Sequence, residues 1–350
     1  MDVDLTHRID AIQELAGHQD RAWHVAWNPA KPLLSSCSAD KTVRMYSYTN
    51  PSNSSSISFS HVATIPTGHT KTVRSVAWAP SGNTLATASF DANIGVWEQE
   101  ESEEDDGRKG EWECASLLEG HETECKSVAY SSSGTLLASC SRDKTVWIWE
   151  VHPDSDFECM SVLMEHTQDV KCVAWHPVEE ILASASYDDT IKLYIDDPSD
   201  DWFCFSTLTG HASTVWSLAW SPQNSYLASA SDDKTVRIWR RVAEHKWECA
   251  LILEGNERSV YSVTWGVGKP SSPGLGWVAA VGGDGTIRVW QLSENPDSTL
   301  HHELIAQLPN AHGVYDVNSV VCCPRQGFED LLATTGDDGA TRIWRVQPAA

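Results

Sequence analysis

Basic residues are scarce in this chain. It has 350 residues, and its 25 Lys and Arg stand against 49 Asp and Glu, a formal net charge of −24. Because phosphate contacts need clustered cations, this balance argues against binding to nucleic acid or to anionic membranes. The sequence also lacks any apolar run near the roughly 20 residues of a membrane-spanning helix. We therefore expect no direct nucleic-acid partner and no membrane partner.

Targeting features are missing as well. The opening stretch MDVDLTHRID is acidic and polar, so we expect neither a signal peptide nor a transit peptide. We expect a soluble protein of the cytoplasm, with the nucleus as a second compartment. Methionine is rare, with 4 residues against 17 Trp, but hydrophobic residues make up 41% of the chain, enough for a folded core.

Two short markers repeat along the chain. The first is a Gly-His pair, and the second is an Asp followed six residues later by Trp or Tyr. In the first five copies the Asp comes 22 residues after the His, and in the last two it comes 28 and 26 residues after the corresponding position. Short alternating stretches separated by turn residues lie between the markers and indicate β-strands. Four strands in a repeat of this length are typical of WD40 repeats.

Seven copies predict an all-β fold, a seven-bladed WD40 β-propeller with four antiparallel strands per blade. Residues 8–15 resemble a lone outer strand, and no outer strand follows Trp344, so the N-terminal strand should complete the seventh blade and close the ring. Length alone favours two domains, but the repeats predict one domain over residues 1–350. The blades are centred near 18–46, 69–97, 121–149, 166–194, 211–239, 256–290 and 312–344.

Nearly every repeat combines a His, a Ser or Thr, an Asp and a Trp. A buried imidazole and carboxylate are costly without partners, so we interpret each set as a structural hydrogen-bond network. A catalytic Ser-His-Asp triad is the alternative, but an enzyme needs one such site, and we predict no enzyme activity. Blade 6 has Asn256 and Ala280 at the His and Ser/Thr positions, so we expect it to be the least rigid. The network residues of blades 2, 3 and 5 are His69, Thr87, Asp91 and Trp97; His121, Ser139, Asp143 and Trp149; and His211, Ser229, Asp233 and Trp239.

The ten cysteines show no metal-binding pattern. The one close pair, Cys322 and Cys323, is adjacent in sequence, unlike a Cys-x-x-Cys ligand pair. Cysteines also recur every 45 residues in the fourth strand of blades 2–5, which indicates structural repetition. We predict no metal site and no cofactor. These four are Cys114, Cys159, Cys204 and Cys249.

Acidic charge is concentrated in loops on one face of the predicted propeller, here called the bottom face. Segments 98–111, 150–158, 195–201 and 293–303 have net charges of −6, −4, −4 and −3, together −17 of the −24. These loops form either a solvated surface that keeps the protein in solution or a docking surface for a basic partner.

The opposite, top face is predicted to be basic and aromatic around the mouth of the central channel. The first residues of the inner strands and the residues before each turn Asp point there, and Phe90 and Tyr187 are expected beside Arg142. Aromatic residues next to Arg are typical of binding hot spots, and Arg can hold a carboxylate through two hydrogen bonds. We predict a site for an acidic peptide, such as a chain end with an aromatic residue; a rim without a ligand is the alternative. The predicted residues are Arg142, Arg74, Lys126, Lys171, Phe90, Tyr187, Trp23, Trp216 and Tyr261, with Asn318 at the equivalent position of blade 7.

Several strings are more specific than the repeat, namely SRDKTVWIWE at 141–150, HTQDVK at 166–171, ASYDDT at 185–190 and GHASTVWS at 210–217. With them the chain resembles the WD40 protein of the cytosolic iron–sulfur protein assembly targeting complex, most closely in blades 2–5. The resemblance implies a non-catalytic adaptor that helps to deliver [4Fe-4S] clusters to cytosolic and nuclear apoproteins. It also implies four kinds of partner: a MIP18-family (DUF59) subunit, a large HEAT-repeat subunit of the MMS19 type, an iron-only-hydrogenase-like cluster carrier, and apo iron–sulfur client proteins. A top-face Arg of the third blade matters in that family, and the matching residue is Arg142.

A general WD40 interaction scaffold, such as a substrate receptor of a ubiquitin ligase or a histone-tail reader, is the competing interpretation. Such proteins need a further partner-binding segment, and the short stretches before residue 8 and after Trp344 lead us to expect none here. The 98–111 insertion and the loop at 266–276, which is rich in Gly, Pro and Ser, depart from the family pattern.

Overall fold

Every regular element in the computed structural model is a β-strand, within the residues it describes: 5–49, 57–99, 110–153, 156–197, 201–269 and 274–349. The strands form seven antiparallel sheets of four, and the predicted seven-bladed propeller is confirmed. Over the same ranges, no helix has the length and apolar character needed to cross a bilayer.

The strands follow the chain in order, and each blade runs outward from the central channel. The chain enters the fold through β1 (His7–Leu15). Blade 1 has β2 (Ala22–Trp27), β3 (Leu33–Ser38), β4 (Thr42–Thr49) and β5 (Ser58–Pro66). Blade 2 has β6 (Val73–Trp78), β7 (Thr84–Ser89), β8 (Ile94–Gln99) and β9 (Trp112–Leu118). Blade 3 has β10 (Cys125–Tyr130), β11 (Leu136–Ser141), β12 (Val146–Val151) and β13 (Phe157–Leu163).

The remaining blades have the same order. Blade 4 has β14 (Val170–Trp175), β15 (Ile181–Ser186), β16 (Ile191–Asp197) and β17 (Asp201–Leu208). Blade 5 has β18 (Val215–Trp220), β19 (Tyr226–Ser231), β20 (Val236–Ala243) and β21 (Lys246–Leu253). Blade 6 has β22 (Val260–Gly266), β23 (Gly276–Gly282), β24 (Ile287–Glu294) and β25 (Leu300–Leu308). Blade 7 has β26 (Val317–Cys322), β27 (Leu331–Gly336) and β28 (Thr341–Pro348).

The ring is closed by the first strand. β1 pairs antiparallel with β28, from His7 opposite Pro348 to Leu15 opposite Thr341, and so supplies the outer strand of blade 7. The innermost strands contact one another in sequence around the channel, and β26 contacts β2. Closure therefore protects the edges that an open stack of sheets would expose. That residues 1–350 form one domain stays a prediction.

The hydrophobic core lies between blades rather than within them. One cluster packs Ala86 and Ile94 of blade 2 against Val128, Leu137 and Trp149 of blade 3, and a comparable cluster fills each of the other six interfaces. Because each fully buried Leu, Ile or Val contributes about 1.5–3 kcal/mol, the blades depend on their neighbours for stability.

Tryptophan links neighbouring blades by a polar contact as well. The indole Nε1 of Trp175 at the end of β14 donates to the Ala129 carbonyl of blade 3 over 3.0 Å. Trp220, at the same position of blade 5, donates to the Ala174 carbonyl of blade 4 over 3.0 Å. A residue that combines a large apolar ring with one N–H donor suits this interface, which accounts for part of the excess of Trp over Met.

Candidate partner-binding site at the channel mouth

Seven side chains around the channel mouth are each carried by a β-bulge. In each innermost strand pair the register shifts by one residue, which leaves one extra residue in a β-bulge. In blade 2 this residue is Arg74, between Val73 and Ser75. In every blade the bulged residue is the one predicted from the sequence to line the mouth. Because a bulge re-aims the side chain it carries, all seven turn toward the channel. The other bulged residues are Trp23, Lys126, Lys171, Trp216, Tyr261 and Asn318.

These side chains line a cavity of about 340 Å³ on the top face. Its size falls in the range of pockets that hold small ligands or a few peptide side chains. Two predicted site residues, Arg142 and Tyr187, lie outside its lining and stand at the rim. The lining residues are Arg21, Trp23, Arg74, Phe90, Lys126, Lys171, Trp216, Tyr261, Asp316, Asn318 and Asp337.

The two lysines of the mouth each form an ion pair, which was not predicted from the sequence. Lys126 forms an ion pair with Glu124, and Lys171 Nζ lies 3.2 Å from Asp169 Oδ2. In both cases the carboxylate comes two residues before the lysine and directly before the strand that carries it, so each ion pair is local. Burial lowers the pKa of Lys126, whereas for Glu124 the ion pair outweighs burial and lowers the pKa of the carboxyl.

Aromatic residues of the mouth contact its two lysines, and the placing of Phe90 and Tyr187 beside Arg142 stays a prediction. Lys126 Nζ lies 4.1 Å from the centre of the Phe90 ring. Lys171 Nζ lies 5.2 Å from the Tyr187 ring centre and 5.1 Å from that of Trp216. The Arg142 side chain is 59% exposed, and its Nη1 approaches Glu124 Oε1 only to 3.5 Å, so it remains available to a partner.

The far side of the mouth is acidic, a feature that sequence analysis missed in part. Tyr261 donates its hydroxyl to Asp316 over 3.3 Å, and burial followed by the charge of Asp316 raises the pKa of Tyr261. The indole of Trp216 donates to Asp232 over 2.6 Å. Asn318 donates to Asp337 over 2.9 Å. This side of the mouth therefore has three carboxylates and one lining cation, Arg21, whose Nε lies 3.5 Å from Asp337 Oδ2. The other three lining cations are on blades 2–4.

The predicted structural networks come together in the structure. In blade 3, the Trp149 indole donates to Ser139 Oγ over 3.0 Å, Ser139 Oγ lies 2.9 Å from His121 Nε2, and His121 Nδ1 lies 2.9 Å from Asp143 Oδ2. Blade 2 has the same chain through Trp97, Thr87, His69 and Asp91, and blade 5 has it through Trp239, Ser229, His211 and Asp233. Blades 1, 4 and 7 also join a His to an Asp and to a Ser or Thr.

The turn carboxylates of these six blades share one electrostatic environment. Burial opposes their charged form, but hydrogen bonds from the His and from turn backbone amides outweigh it and lower each pKa, in the case of Asp338 to about 2. The other five have a pKa well below the usual range of Asp. They are Asp40, Asp91, Asp143, Asp188 and Asp233.

Blade 6 has a different network in the same place. Arg288 is only 4% exposed, and its Nη1 lies 2.7 Å from Asp284 Oδ2 and 3.2 Å from Asn256 Oδ1. A buried guanidinium thus replaces the imidazole as partner of the turn Asp. Sequence analysis missed Arg288, although its position four residues after Asp284 was a usable signal, because Arg342 follows Asp338 in the same way and pairs with it. The lower rigidity of blade 6 stays a prediction.

The repeated cysteines lie on the outermost strands. Cys114, Cys159 and Cys249 are exposed and Cys204 is half-buried, so their periodicity reflects position in the blade rather than burial. Among the described residues no cluster of three His, Cys, Asp or Glu is arranged to hold a metal ion. Much of the acidic bottom face that the sequence predicts, at 100–109, 154–155 and 198–200, lies outside the described residues.

Comparison with known proteins agrees with this architecture. The family described as "WD domain, G-beta repeat" matches more than half of the chain, at residues 10–47, 59–98, 112–150, 157–194, 202–240 and 247–291. The three C-terminal strands of blade 7 lie outside these matches, although they and the blade's network have the same arrangement as the others.

Curated relatives include three fungal proteins, each named "Probable cytosolic iron-sulfur protein assembly protein 1". The protein from Cryptococcus neoformans is 47% identical over 182 residues, which are 43% of this chain and 41% of the relative. Those from Mycosarcoma maydis and Malassezia globosa are 49% identical over 173 residues (41% and 38%) and 61% identical over 94 residues (26% and 26%). The chain thus spans about two fifths or less of each relative that it matches. These names confirm the resemblance inferred from the sequence strings.

Proposed function

Because the chain belongs to the WD40-repeat family, we propose that it is a non-catalytic adaptor in cytosolic iron–sulfur protein assembly. The observation that carries this proposal is its similarity to fungal proteins named for that process. The fold supports an adaptor, because the His-Asp-Ser/Thr sets are repeated structural networks and leave the ring faces for partners. A fold by itself does not determine function, so the mechanism has to be inferred from the residues of the site.

The mechanism we propose is recruitment of an acidic partner segment by the top face. Arg142 is an exposed cation at the rim, and its planar guanidinium can hold a carboxylate through two hydrogen bonds. The cavity beside it is lined by Trp23, Phe90 and Trp216, whose rings can cover apolar side chains of the same segment. Arg142 would capture the segment, and the mouth would fix its position.

The partners of such an adaptor are proteins of the assembly machinery. We propose a MIP18-family subunit, a HEAT-repeat subunit, a hydrogenase-like cluster carrier and apo client proteins. The cluster itself is cargo that passes between partners. The protein would work in the cytosol, the compartment in the relatives' name, and in the nucleus where nuclear clients are matured.

Depletion in cells tests the proposal directly. Loss of the protein should lower the incorporation of radioactive iron into several cytosolic iron–sulfur enzymes, while a mitochondrial iron–sulfur enzyme in the same cells keeps its iron. Normal loading of the cytosolic enzymes would contradict the proposed function.

Rescue of the depleted cells then tests the site. Re-expression of the wild type should restore loading, and Arg142→Glu at equal abundance should restore less than a tenth of it. Lys246→Glu makes the same charge change on the outer strand of blade 5, where the side chain is exposed, and should rescue fully. The purified protein should also show no stoichiometric iron–sulfur absorbance, because a resident cluster would contradict a pure adaptor.

A further inference from the structure

The perimeter of the propeller is less closed beside blade 2 than elsewhere. From blade 3 around the ring to blade 1, the outer strand of each blade packs against the outer strand of the next. The outer strand of blade 2, β9, does not pack comparably against either neighbour, β5 of blade 1 or β13 of blade 3. Over the described residues, both sides of β9 are therefore less covered than those of the other outer strands.

The seam between blades 1 and 2 also lacks the indole hydrogen bond that links blade 4 to blade 3 and blade 5 to blade 4. Trp78 has the same strand position as Trp175 and Trp220, but its Nε1 is buried and has no acceptor among the described residues. The Ala26 carbonyl, which corresponds to the acceptors of those two bonds, accepts a hydrogen bond from Ser35 Oγ over 3.4 Å instead. This seam is thus missing one polar contact that joins the blades at the other two.

At the perimeter the seam opens into a groove of about 480 Å³, here called the blade 1–2 groove. Its floor is apolar, because Leu33 and Ala63 pack against the core between the two blades. Val62 on β5 is 43% exposed at its edge, and Trp112 of β9 packs edge to face on Trp78 with ring centres 5.7 Å apart. Accessible apolar surface in a concave place is typical of interaction sites, and this volume suits about two or three apolar side chains.

The lip of the groove is acidic. Gln99 and Glu111 both line it, and the sequence that includes them, residues 98–111, has a net charge of −6. Among the described lining residues there is no Lys, Arg or His to offset this charge. A segment that fills the groove therefore needs cations beside its apolar side chains.

The neighbouring parts of the chain do not have the composition to fill this groove. The stretches that lead into β5 and β9, residues 50–56 and 100–109, contain no Val, Leu, Ile, Met or aromatic residue. A second copy of the chain is disfavoured as well, because each copy has a net charge of −24 and the two would repel each other. These observations favour a different protein with a basic surface segment.

We infer that the blade 1–2 groove docks a segment of another protein in which two or three apolar residues are flanked by Lys or Arg. The apolar residues cover Val62 and Trp112, and the basic residues face the negative charge at the lip. In the described parts of the chain, the groove and the channel mouth share no lining residue. The inference therefore adds a second docking surface and does not rest on the proposed function.

Fluorescence anisotropy with the purified full-length chain tests the chemistry of the groove. The probe is the fluorescein-labelled peptide amide Lys-Arg-Leu-Val-Leu-Lys-Arg. One companion peptide has three Ser in place of the apolar centre, and another has Glu in place of every Lys and Arg. At about 0.15 M salt, where exposed charges are screened beyond about 8 Å, the probe should bind at least tenfold more tightly than either companion. Equal binding of either companion, or no binding of the probe, would overturn the inference.

Matched variants assign the binding to the groove. Val62→Lys should lower the affinity for the probe at least tenfold, whereas Val178→Lys makes the same change at an exposed Val of blade 4 and should lower it less than twofold. Glu111→Lys should cost several-fold, and Glu113→Lys, an exposed position of β9 outside the lining, should cost less. All four positions are exposed, so the variants should melt like the wild type and a loss of binding is not misfolding. Unchanged affinity in both Val62→Lys and Glu111→Lys would refute the assignment.

Photo-crosslinking in cells identifies the natural occupant. The photoreactive amino acid p-benzoylphenylalanine is introduced at Val62, or at Val178 as the control, and mass spectrometry locates the residue to which it becomes attached. Attachment from Val62 alone to a segment of another protein with apolar residues flanked by Lys or Arg supports the inference. Attachment to residues 100–109, to a second copy of the chain, to a segment of other composition, or to no segment contradicts it. Because iron loading is not the readout, this result and the test of the proposed function can fail independently.

Discussion

Blades 3 and 6 place a carboxylate at the same turn and give it different partners. Glu122 N donates to Asp143 over 3.0 Å, and Glu257 N donates to Asp284 over 3.1 Å, so the backbone holds both carboxylates alike. The side-chain donor is an imidazole from the preceding loop in blade 3 and the Arg288 guanidinium from within the sheet in blade 6. The fold therefore requires a buried donor for the turn carboxylate, and its chemical type can vary.

Lowering the pH should have the largest effect, because it weakens the turn networks of six blades together. The six His-linked carboxylates have a lowered pKa in the folded state, so their stabilisation is complete above the usual Asp value, near 4, and is lost as pH falls through the folded values, such as about 2 for Asp338. We expect the melting temperature to begin to fall below about pH 5 and to keep falling as far as about pH 2. Differential scanning calorimetry across this range measures it, and a constant melting temperature would contradict the role assigned to these networks.

Removing the donor of blade 6 should have the next largest effect. Arg288→Met leaves Asp284 buried without its cation, which should cost about 3–5 kcal/mol of unfolding free energy. Urea denaturation measures the loss. The double variant Arg288→Met, Asp284→Asn should recover part of it, since the uncompensated charge is gone. A loss below about 1 kcal/mol, the usual size for an exposed pair, would show that this ion pair is not needed.

The corresponding change in blade 3 should cost less. His121→Ala removes an imidazole and leaves Ser139 and Asp143 short of one partner each, so we expect a loss of about 2–3 kcal/mol. The control His301→Ala alters an exposed imidazole on β25 and should stay within about 0.5 kcal/mol of the wild type. If His121→Ala costs more than Arg288→Met, the ranking of the two networks is wrong.

The smallest effect should come from Trp149, the residue of the blade 3 network that is furthest from the turn Asp. Trp149→Phe keeps most of the buried ring and removes the N–H that reaches Ser139, so we expect a loss of about 1 kcal/mol. Blade 4 has a tyrosine at this position, and Ser184 Oγ donates to the Tyr194 hydroxyl over 3.3 Å. Thermal unfolding followed by circular dichroism resolves a change of this size. A loss above about 3 kcal/mol would point to packing instead.

The sequence predicts the ring and most networks because their markers recur at a fixed separation. Five blades have a His 22 residues before the turn Asp, and this repeated spacing is compatible with few other geometries. Arg288 was not predicted because it occupies none of the four repeated positions, which hold the His, the Ser or Thr, the Asp and the Trp. At the mouth, the position in the repeat identifies the bulged residues. The net charge of a segment, however, does not show that Glu124 and Asp169 pair with the two lysines, or that Asp316 stands opposite Arg74. The ion pairs depend on side-chain positions within one loop, and the place of Asp316 depends on contacts between distant blades.

The pairing of β1 with β28 has a consequence for how the protein is made. Contacts such as that of Arg342 with Glu14 join residues 328 positions apart, so they form only after the last strand has left the ribosome. Until then β1 has no sheet to join and the edges of blades 1 and 6 are uncovered, a state prone to wrong pairing. Formation of the blade 7 sheet should therefore be the step that commits the nascent chain to the native ring, and truncation before Thr341 should yield aggregates rather than a six-bladed protein.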